Sequence, residues 1–237
     1  MVSKFKNTEM VAALEGLYQE YDRVLQGLQL ACEPQCSRCC TVNVTATGLE
    51  IQYLLIKARE DGMVPNLQQR LLPVGGDQRQ RYRPTFTINH AARCYLQGQD
   101  MPDDTGKHYA GKCPLLDQDG LCSVYRGRPF ACRAMTSQAR CRSGDEAVMP
   151  PFLVALNFVF YQLIEHVDAD GQSGNLLDLL ATEFDDNFGG DLLLTNQPLT
   201  KPVVDPAFRK PVAKFLAKMA TRPVGEQTLA NFLPLGP

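Results

Sequence analysis

The sequence lacks a long apolar run and lacks a recognisable leader segment. Its most apolar stretch, residues 152–164, is 13 residues long and is interrupted by Asn157 and Gln162, whereas a membrane-spanning helix needs about 20 apolar residues. The first ten residues contain two lysines but not the apolar segment that is typical of a secretory signal. We therefore expect a soluble, cytoplasmic protein that has no contact with a membrane.

The sequence also lacks a strong excess of charge of either sign. Its 24 basic and 26 acidic residues give a formal net charge of -2, which argues against a globally basic nucleic-acid binder. Hydrophobic residues make up 44% of the chain and charged residues 21%, so a sizeable core can form and general disorder is excluded. A length of 237 residues fits one large domain or one domain with additional elements.

Tryptophan is absent and histidine occurs only three times, but cysteine occurs nine times. An odd number fits poorly with a closed set of disulfides, and cytoplasmic thiols stay reduced, so clustered cysteines favour metal binding or redox chemistry. Eight of the nine fall in two blocks. The first block is Cys32, Cys36, Cys39 and Cys40, and the second is Cys113, Cys122, Cys132 and Cys141. The ninth, Cys94, stands alone and is predicted to be a buried small hydrophobic residue.

The spacing within the blocks suits metal ligation. Two cysteines separated by two residues, as in Cys36 and Cys39, can wrap one metal with a single tight turn. A hairpin that turns at the Asp119-Gly120 dipeptide would bring Cys113 close to Cys122. Cys132 and Cys141 could then complete the site.

Positive charge accompanies the second block. Residues 112–142 contain six basic and two acidic side chains, and cations near thiols lower their pKa and can donate hydrogen bonds to ligating sulfur. Arg38, Arg128 and Arg133 are the candidates for that role. A basic surface patch that contacts a partner or a nucleic acid would explain the same charge pattern.

Hydrophobic periodicity predicts a mainly α fold, in which a helical bundle carries an irregular metal-binding region with a short β-hairpin. We expect a cysteine-cluster domain with an N-terminal helix over residues 1–150 and a C-terminal helical region, packed on it, over 151–237. Thr47 is a candidate N-cap. Residues 74–83, which include Arg81 and Arg83, are expected to form a solvated loop, whereas residues 86–96 could form a strand or a short helix. Helices are predicted over residues 8–30, 48–60, 66–72, 152–167, 176–184 and 208–219.

These residues resemble the YkgJ-like cysteine-cluster family, also described as the putative zinc- or iron-chelating CxxCxxCC domain. The resemblance covers about residues 30–142, with a long insertion at roughly 41–111. It implies that all eight clustered cysteines, with Cys141 as the eighth, are metal ligands. The motifs that carry it are Cys32-x3-Cys36-x2-Cys39-Cys40, Cys113-Pro-x-Leu, Gly120-x-Cys122-x-x-Tyr125 and Arg128-Pro129-x-x-Cys132-Arg133.

The identity of the metal stays open at this point, between an iron–sulfur cluster and zinc. A [4Fe-4S]-type cluster is favoured by the close spacing of the first block and by the Cys113-Pro114 pair, which also occurs in bacterial ferredoxins. Zinc is the alternative, because eight thiolates could make two four-cysteine sites. The number of sites, one or two, also stays open.

Three classes of function are consistent with such a centre. The first is redox or metal and cluster handling, or a metal-stabilised surface that binds a protein partner. The second is a zinc-binding interaction module. The third is a protein-modifying enzyme, since flagellin lysine-N-methylases have a similar cysteine cluster, although this sequence has no recognisable S-adenosylmethionine-binding glycine motif. A radical S-adenosylmethionine enzyme fits less well, because Arg38 replaces the usual aromatic residue and Cys40 would close the open iron position.

Overall fold

The computed structural model describes residues 8–33, 35–71, 80–142, 146–185, 188 and 190–235. Helices dominate this part of the chain, so the predicted mainly α fold is confirmed. Most of the predicted loop 74–83 lies outside the described residues. The helices are α1 (Thr8–Gln26), α2 (Gly48–Glu60), α3 (Val64–Leu71), α4 (Ile88–Leu96), α5 (Phe130–Ala134), α6 (Pro151–Val167), α7 (Leu176–Phe184) and α8 (Arg209–Ala220).

The start of α2 shows how local sequence sets a helix boundary. Thr47 is the N-cap, as predicted, and its hydroxyl accepts a hydrogen bond from the Glu50 backbone N–H at 3.2 Å. The Glu50 carboxylate in turn accepts from the Thr47 N–H at 2.8 Å, which completes a capping box. Helix α1 ends at Gln26 rather than at residue 30. The chain then leaves the helix so that the Ala31 N–H can donate to the Ser137 carbonyl at 2.8 Å, beside the second cysteine block.

Short strands, which the sequence analysis did not predict outside the cysteine region, join distant segments. In an antiparallel sheet, β1 (Thr45–Thr47) pairs with β2 (Gln172–Asn175), which pairs with β3 (Leu194–Thr195). A second, two-stranded sheet joins β4 (Pro223–Val224) to β5 (Gln227–Thr228). The first sheet fixes the segment that follows the first cysteine block against the chain that follows α6.

Two apolar clusters form the core. The first unites α1, α6 and α8 with the start of α5, and in it the Phe130 and Phe160 rings stack at a centroid distance of 5.5 Å. The second unites α2, α3 and α7 with Leu115 and Val124, and the partly buried Cys113 packs against it. Fully burying one such side chain stabilises the fold by about 1.5–3 kcal/mol. Because both clusters contain residues from the second cysteine block or its neighbours, the helical body positions that block. The division into regions at residue 150 stays a prediction.

Buried charged groups connect the insertion between the two cysteine blocks to helix α7. Asp178 on α7 is fully buried and pairs with Arg81 at 3.3 Å and with Arg83 at 2.7 Å. The expectation that these arginines lie in a solvated loop was therefore wrong, since Arg81 is only 3% exposed. Residues 88–96 form a helix, which settles the choice between strand and helix there. Within the described ranges, no helix combines the length and the apolar character needed to cross a membrane.

Candidate metal centre

Backbone hydrogen bonds join the two cysteine blocks where the long insertion begins and ends. The Cys113 N–H donates to the Cys40 carbonyl at 3.0 Å, and Thr41 forms an antiparallel bridge with Lys112. Consecutive turns shape the first block, since the Cys36 N–H donates to the Glu33 carbonyl at 3.0 Å. These contacts place Cys40 and Cys113 side by side, although 72 residues separate them in the sequence.

The second block folds around a tight turn. Gly120 has a φ of +79°, a conformation that glycine adopts readily, and the Asp117 carboxylate accepts hydrogen bonds from two backbone N–H groups of the turn. The predicted hairpin is reduced to one antiparallel bridge, between Leu116 and Cys122. The chain then passes through Pro129 into α5, which carries Cys132.

The thiols fall into two neighbouring groups according to which sulfurs influence one another electrostatically. Besides burial, the charges of Cys36, Cys39 and Cys141 raise the pKa of Cys32. Besides burial, the charges of Cys39 and Cys113 raise the pKa of both Cys40 and Cys132. The charge of Cys122 also raises the pKa of Cys132. Cys39 therefore lies at the junction of the two groups. We call Cys32, Cys36 and Cys141 the outer group, and Cys40, Cys113, Cys122 and Cys132 the inner group.

Burial controls the acidity of the inner thiols. It raises the pKa of Cys113 to about 11 and also raises the pKa of Cys122 and Cys132. The Arg128 guanidinium opposes this effect, since its charge lowers the pKa of both Cys122 and Cys132. The Cys40 thiol donates a hydrogen bond to Cys39 and lowers its pKa. Thiolate ligands must lose their protons, so metal binding by the inner group would release protons near neutral pH.

An open cleft of about 790 Å³ gives solvent access to the outer group. Cys32, Cys36 and Cys141 line it, together with Cys40 from the inner group. Cys32 and Cys36 are exposed. Arg38, Lys112 and Arg140 bring positive charge to the same cleft, and Arg140 pairs with Glu33 at 2.7 Å.

The donor set fits a thiolate-bound metal in its chemistry. All nine cysteines are free thiols, and soft thiolate ligands suit zinc and iron–sulfur clusters. Among the described residues, however, no three His, Cys, Asp or Glu side chains already stand close enough together to hold an ion. Ligation therefore requires the cysteine side chains to close around the metal, for example by changing rotamer. The assignment of the eight cysteines as ligands stays a prediction.

The three candidate arginines have different surroundings. Arg38 lines the cleft beside the outer group, and Arg128 is close enough to the inner group to affect two thiols. Arg133 is buried, and its guanidinium donates to the Asp22 carboxylate at 3.0 Å and to two backbone carbonyls of the turn before α5. Arg133 thus fastens that turn to α1.

Cys94 and the histidines occupy other places. Cys94 lies on α4 with its sulfur 3.9 Å from Nε2 of His90. It is only half-buried, so the prediction of a buried hydrophobic residue was wrong. His108, which is near Cys113 in sequence, stacks on the Tyr82 ring at a centroid distance of 4.4 Å. His166 accepts a hydrogen bond from the Leu199 N–H at 3.0 Å. The spacing of Cys94 from the two blocks had already set it apart, whereas the stacking of His108 depends on tertiary structure.

Comparison with known proteins agrees with this concentration of cysteines. A family model described as CxxCxxCC, putative zinc- or iron-chelating domain, matches residues 31–149. No match was found among curated proteins or among solved structures. The matched segment spans half of the chain and contains all eight clustered cysteines. The chain therefore belongs to the CxxCxxCC family of putative zinc- or iron-chelating domains.

Proposed function

We propose that this protein is a cytoplasmic metal-binding protein whose eight clustered cysteines supply the ligands of [4Fe-4S]-type iron–sulfur clusters. The observation that carries the proposal is the meeting of two distant cysteine blocks in one region, joined by the hydrogen bond from Cys113 to Cys40. The match to a zinc- or iron-chelating family supports metal binding in general. Zinc is the alternative metal.

The two groups of thiols support a division into two centres. The inner group supplies four thiols, and the outer group supplies four once Cys39 is added from the junction. A complete set of four thiolates satisfies either a tetrahedral zinc site or a [4Fe-4S] cluster. We therefore propose two four-cysteine centres side by side. Cys39 and Cys40 would become ligands of different centres once metal binding removes the thiol proton of the hydrogen bond between them.

The different accessibility of the groups supports different roles for the two centres. Cys113 and Cys122 of the inner group pack against an apolar cluster of the body, so a metal there would stabilise the fold. Cys32 and Cys36 of the outer group are exposed in an open cleft. Metal or cluster transfer, and electron exchange with a partner, both need such access. We propose that redox chemistry or metal handling takes place at the outer centre.

Anaerobic purification followed by metal analysis, an acid-labile sulfide assay and a visible spectrum tests the choice of metal. We expect iron and sulfide in equal amounts and a broad visible absorption that bleaches on reduction. Stoichiometric zinc in a colourless protein would refute the iron form and support the zinc alternative. A protein that binds neither metal tightly would overturn the whole proposal.

Serine substitutions test the division into two centres. Cys132→Ser should remove the inner metal and lower the free energy of unfolding, whereas Cys36→Ser should remove only the outer metal and leave the fold intact. Cys94→Ser is the matched control and should retain all the metal. Full metal content in either ligand variant would contradict the assignment of that cysteine.

A further inference from the structure

A second cleft, of about 310 Å³, opens between α1, α2 and the turn that precedes α5. This volume is at the lower end of the range found for small-molecule sites, about 300–1,000 Å³. None of the eight clustered cysteines lines this cleft. Any ligand bound there would therefore not contact the clustered cysteines directly.

A cationic side chain lies over each of three tyrosine rings in this cleft. The Arg128 guanidinium lies 3.8 Å from the centroid of the Tyr125 ring, and Arg133 lies 4.1 Å from that of Tyr18. The Lys57 ammonium lies 5.3 Å from the centroid of a third tyrosine ring. The negative face of an aromatic ring attracts a cation. A guanidinium that stacks on a ring keeps the N–H donors at its edge free to bind other groups.

Ion pairs already engage three of the four cations that line the cleft. Lys57 pairs with Glu15 at 3.3 Å, and Arg133 pairs with Asp22 at 3.0 Å. Arg126 pairs with two acidic residues at the end of α2 and in the turn after it.

Arg128 differs from these three cations. Its guanidinium donates one hydrogen bond, to the Tyr125 carbonyl at 3.0 Å. No carboxylate of the described residues forms an ion pair with it. A guanidinium has five N–H donors in a fixed planar arrangement, so Arg128 retains donors for an additional acceptor.

We propose that this cleft binds an anion, a carboxylate or a phosphate, that is attached to a flat apolar group. Arg128 would hold the anion through two parallel hydrogen bonds, the geometry in which a guanidinium matches either acid. The Tyr125 ring, whose residue is 61% exposed, would pack against the flat group. Four basic and two acidic side chains line the cleft, a balance that favours the same sign of ligand.

The site also has an electrostatic connection with the inner thiols. The charge of Arg128 lowers the pKa of Cys122 and Cys132, so an anion bound to Arg128 would weaken this effect. Binding should therefore be measured on protein whose metal content is known. The cleft itself does not depend on which metal the cysteines hold, so a failure of this proposal would leave the proposed metal binding untouched.

Isothermal calorimetry with four simple probes tests the proposal on the full-length protein. Phenyl phosphate and benzoate combine an anion with a flat ring, whereas inorganic phosphate and acetate provide the anion alone. We expect one ring-bearing probe to bind more tightly than its bare anion, and the tighter of the two ring-bearing probes identifies phosphate or carboxylate as the preferred acid. Absence of binding by both ring-bearing probes at millimolar concentration would overturn the proposal.

Three variants locate the binding. Arg128→Gln should weaken binding of the preferred probe about tenfold or more, since a hydrogen bond to a charged group contributes about 1.5–3 kcal/mol. Tyr125→Ala should remove the advantage of the ring while the affinity for the bare anion remains. Arg93→Gln is the control, because Arg93 is exposed and contacts Gln197 outside this cleft. Equal losses in Arg128→Gln and Arg93→Gln would refute the site, and Tyr125→Ala remains informative if Arg128→Gln does not fold.

Discussion

Replacing Glu50 by glutamine should destabilise the protein although the side chain keeps its shape. Glu50 is 3% exposed and connects three helices. One carboxylate oxygen accepts from the Tyr18 hydroxyl at 2.7 Å and from the Phe130 N–H at 2.6 Å, and the other accepts from the Thr47 N–H at 2.8 Å. All three partners are donors, so two acceptor oxygens are required.

A glutamine amide supplies only one acceptor oxygen. If that oxygen keeps the contacts with Tyr18 and Phe130, the amide NH2 faces the Thr47 N–H and leaves this buried donor unsatisfied. Such a loss costs about 1–3 kcal/mol. Burial also raises the pKa of Glu50, so the cost of a buried charge offsets part of what its hydrogen bonds contribute. We therefore expect the free energy of unfolding to fall by about 1–3 kcal/mol, within the range for one unsatisfied donor.

Equilibrium denaturation, followed by circular dichroism at fixed metal content, measures this change. The matched control is Glu60→Gln on the same helix, where the side chain is 44% exposed and pairs with Lys57 and Arg126. An exposed pair contributes about 0–1 kcal/mol, so the control should stay close to the parent protein. Equal stability of Glu50→Gln and the parent would refute the assignment of Glu50 as an obligatory double acceptor.

Two further substitutions test the packing beside the cysteines and the response to acid. In Gly127→Ala the new Cβ would lie 2.7 Å from the Leu54 Cα, so the free energy of unfolding should fall by about 1–3 kcal/mol. The control is Gly27→Ala, whose Cβ meets a carbonyl oxygen at 3.4 Å and should change stability by less than about 0.5 kcal/mol. Similar values for the two variants would contradict the close contact at Gly127. Burial lowers the pKa of His166, so the unfolded chain takes up a proton first and the free energy of unfolding should fall as the pH drops below about 6.5. His166→Gln should lack this part of the pH dependence, and an unchanged pH profile would show that His166 is not its source.

Features encoded by neighbouring residues could be predicted from the sequence. Helix α7, over Leu176–Phe184, has the predicted bounds, because its apolar periodicity is regular. The N-cap at Thr47 follows from its spacing to Glu50, three residues later, which is the pattern of a capping box. The clustering of the cysteines in sequence likewise predicted where the metal-binding region lies.

Features that depend on distant partners could not be predicted. Strands of two to four residues are too short to show an alternating pattern. The partner of β1 is β2, which follows α6 and lies more than 120 residues away in the sequence. The burial of Arg81 depends on Asp178, which lies on a remote helix. The same limit applies to the grouping of the thiols, since only tertiary structure places Cys141 in the lining of the same cleft as Cys32.

The way each group of thiols is attached to the body determines what a metal would do there. The inner group is fixed by the second apolar cluster and by α5, whose first residue, Phe130, is 1% exposed in the other cluster. A metal that binds only the folded arrangement adds its binding free energy to the stability of the fold, so binding by the inner group should stabilise both clusters together. The three cysteines of the outer group line an open cleft, and the hydrogen bond from Ala31 to Ser137 joins the two segments that carry them. Loss of metal there would disturb few buried contacts, which is the property that a centre needs if it is to exchange metal or electrons without unfolding the protein.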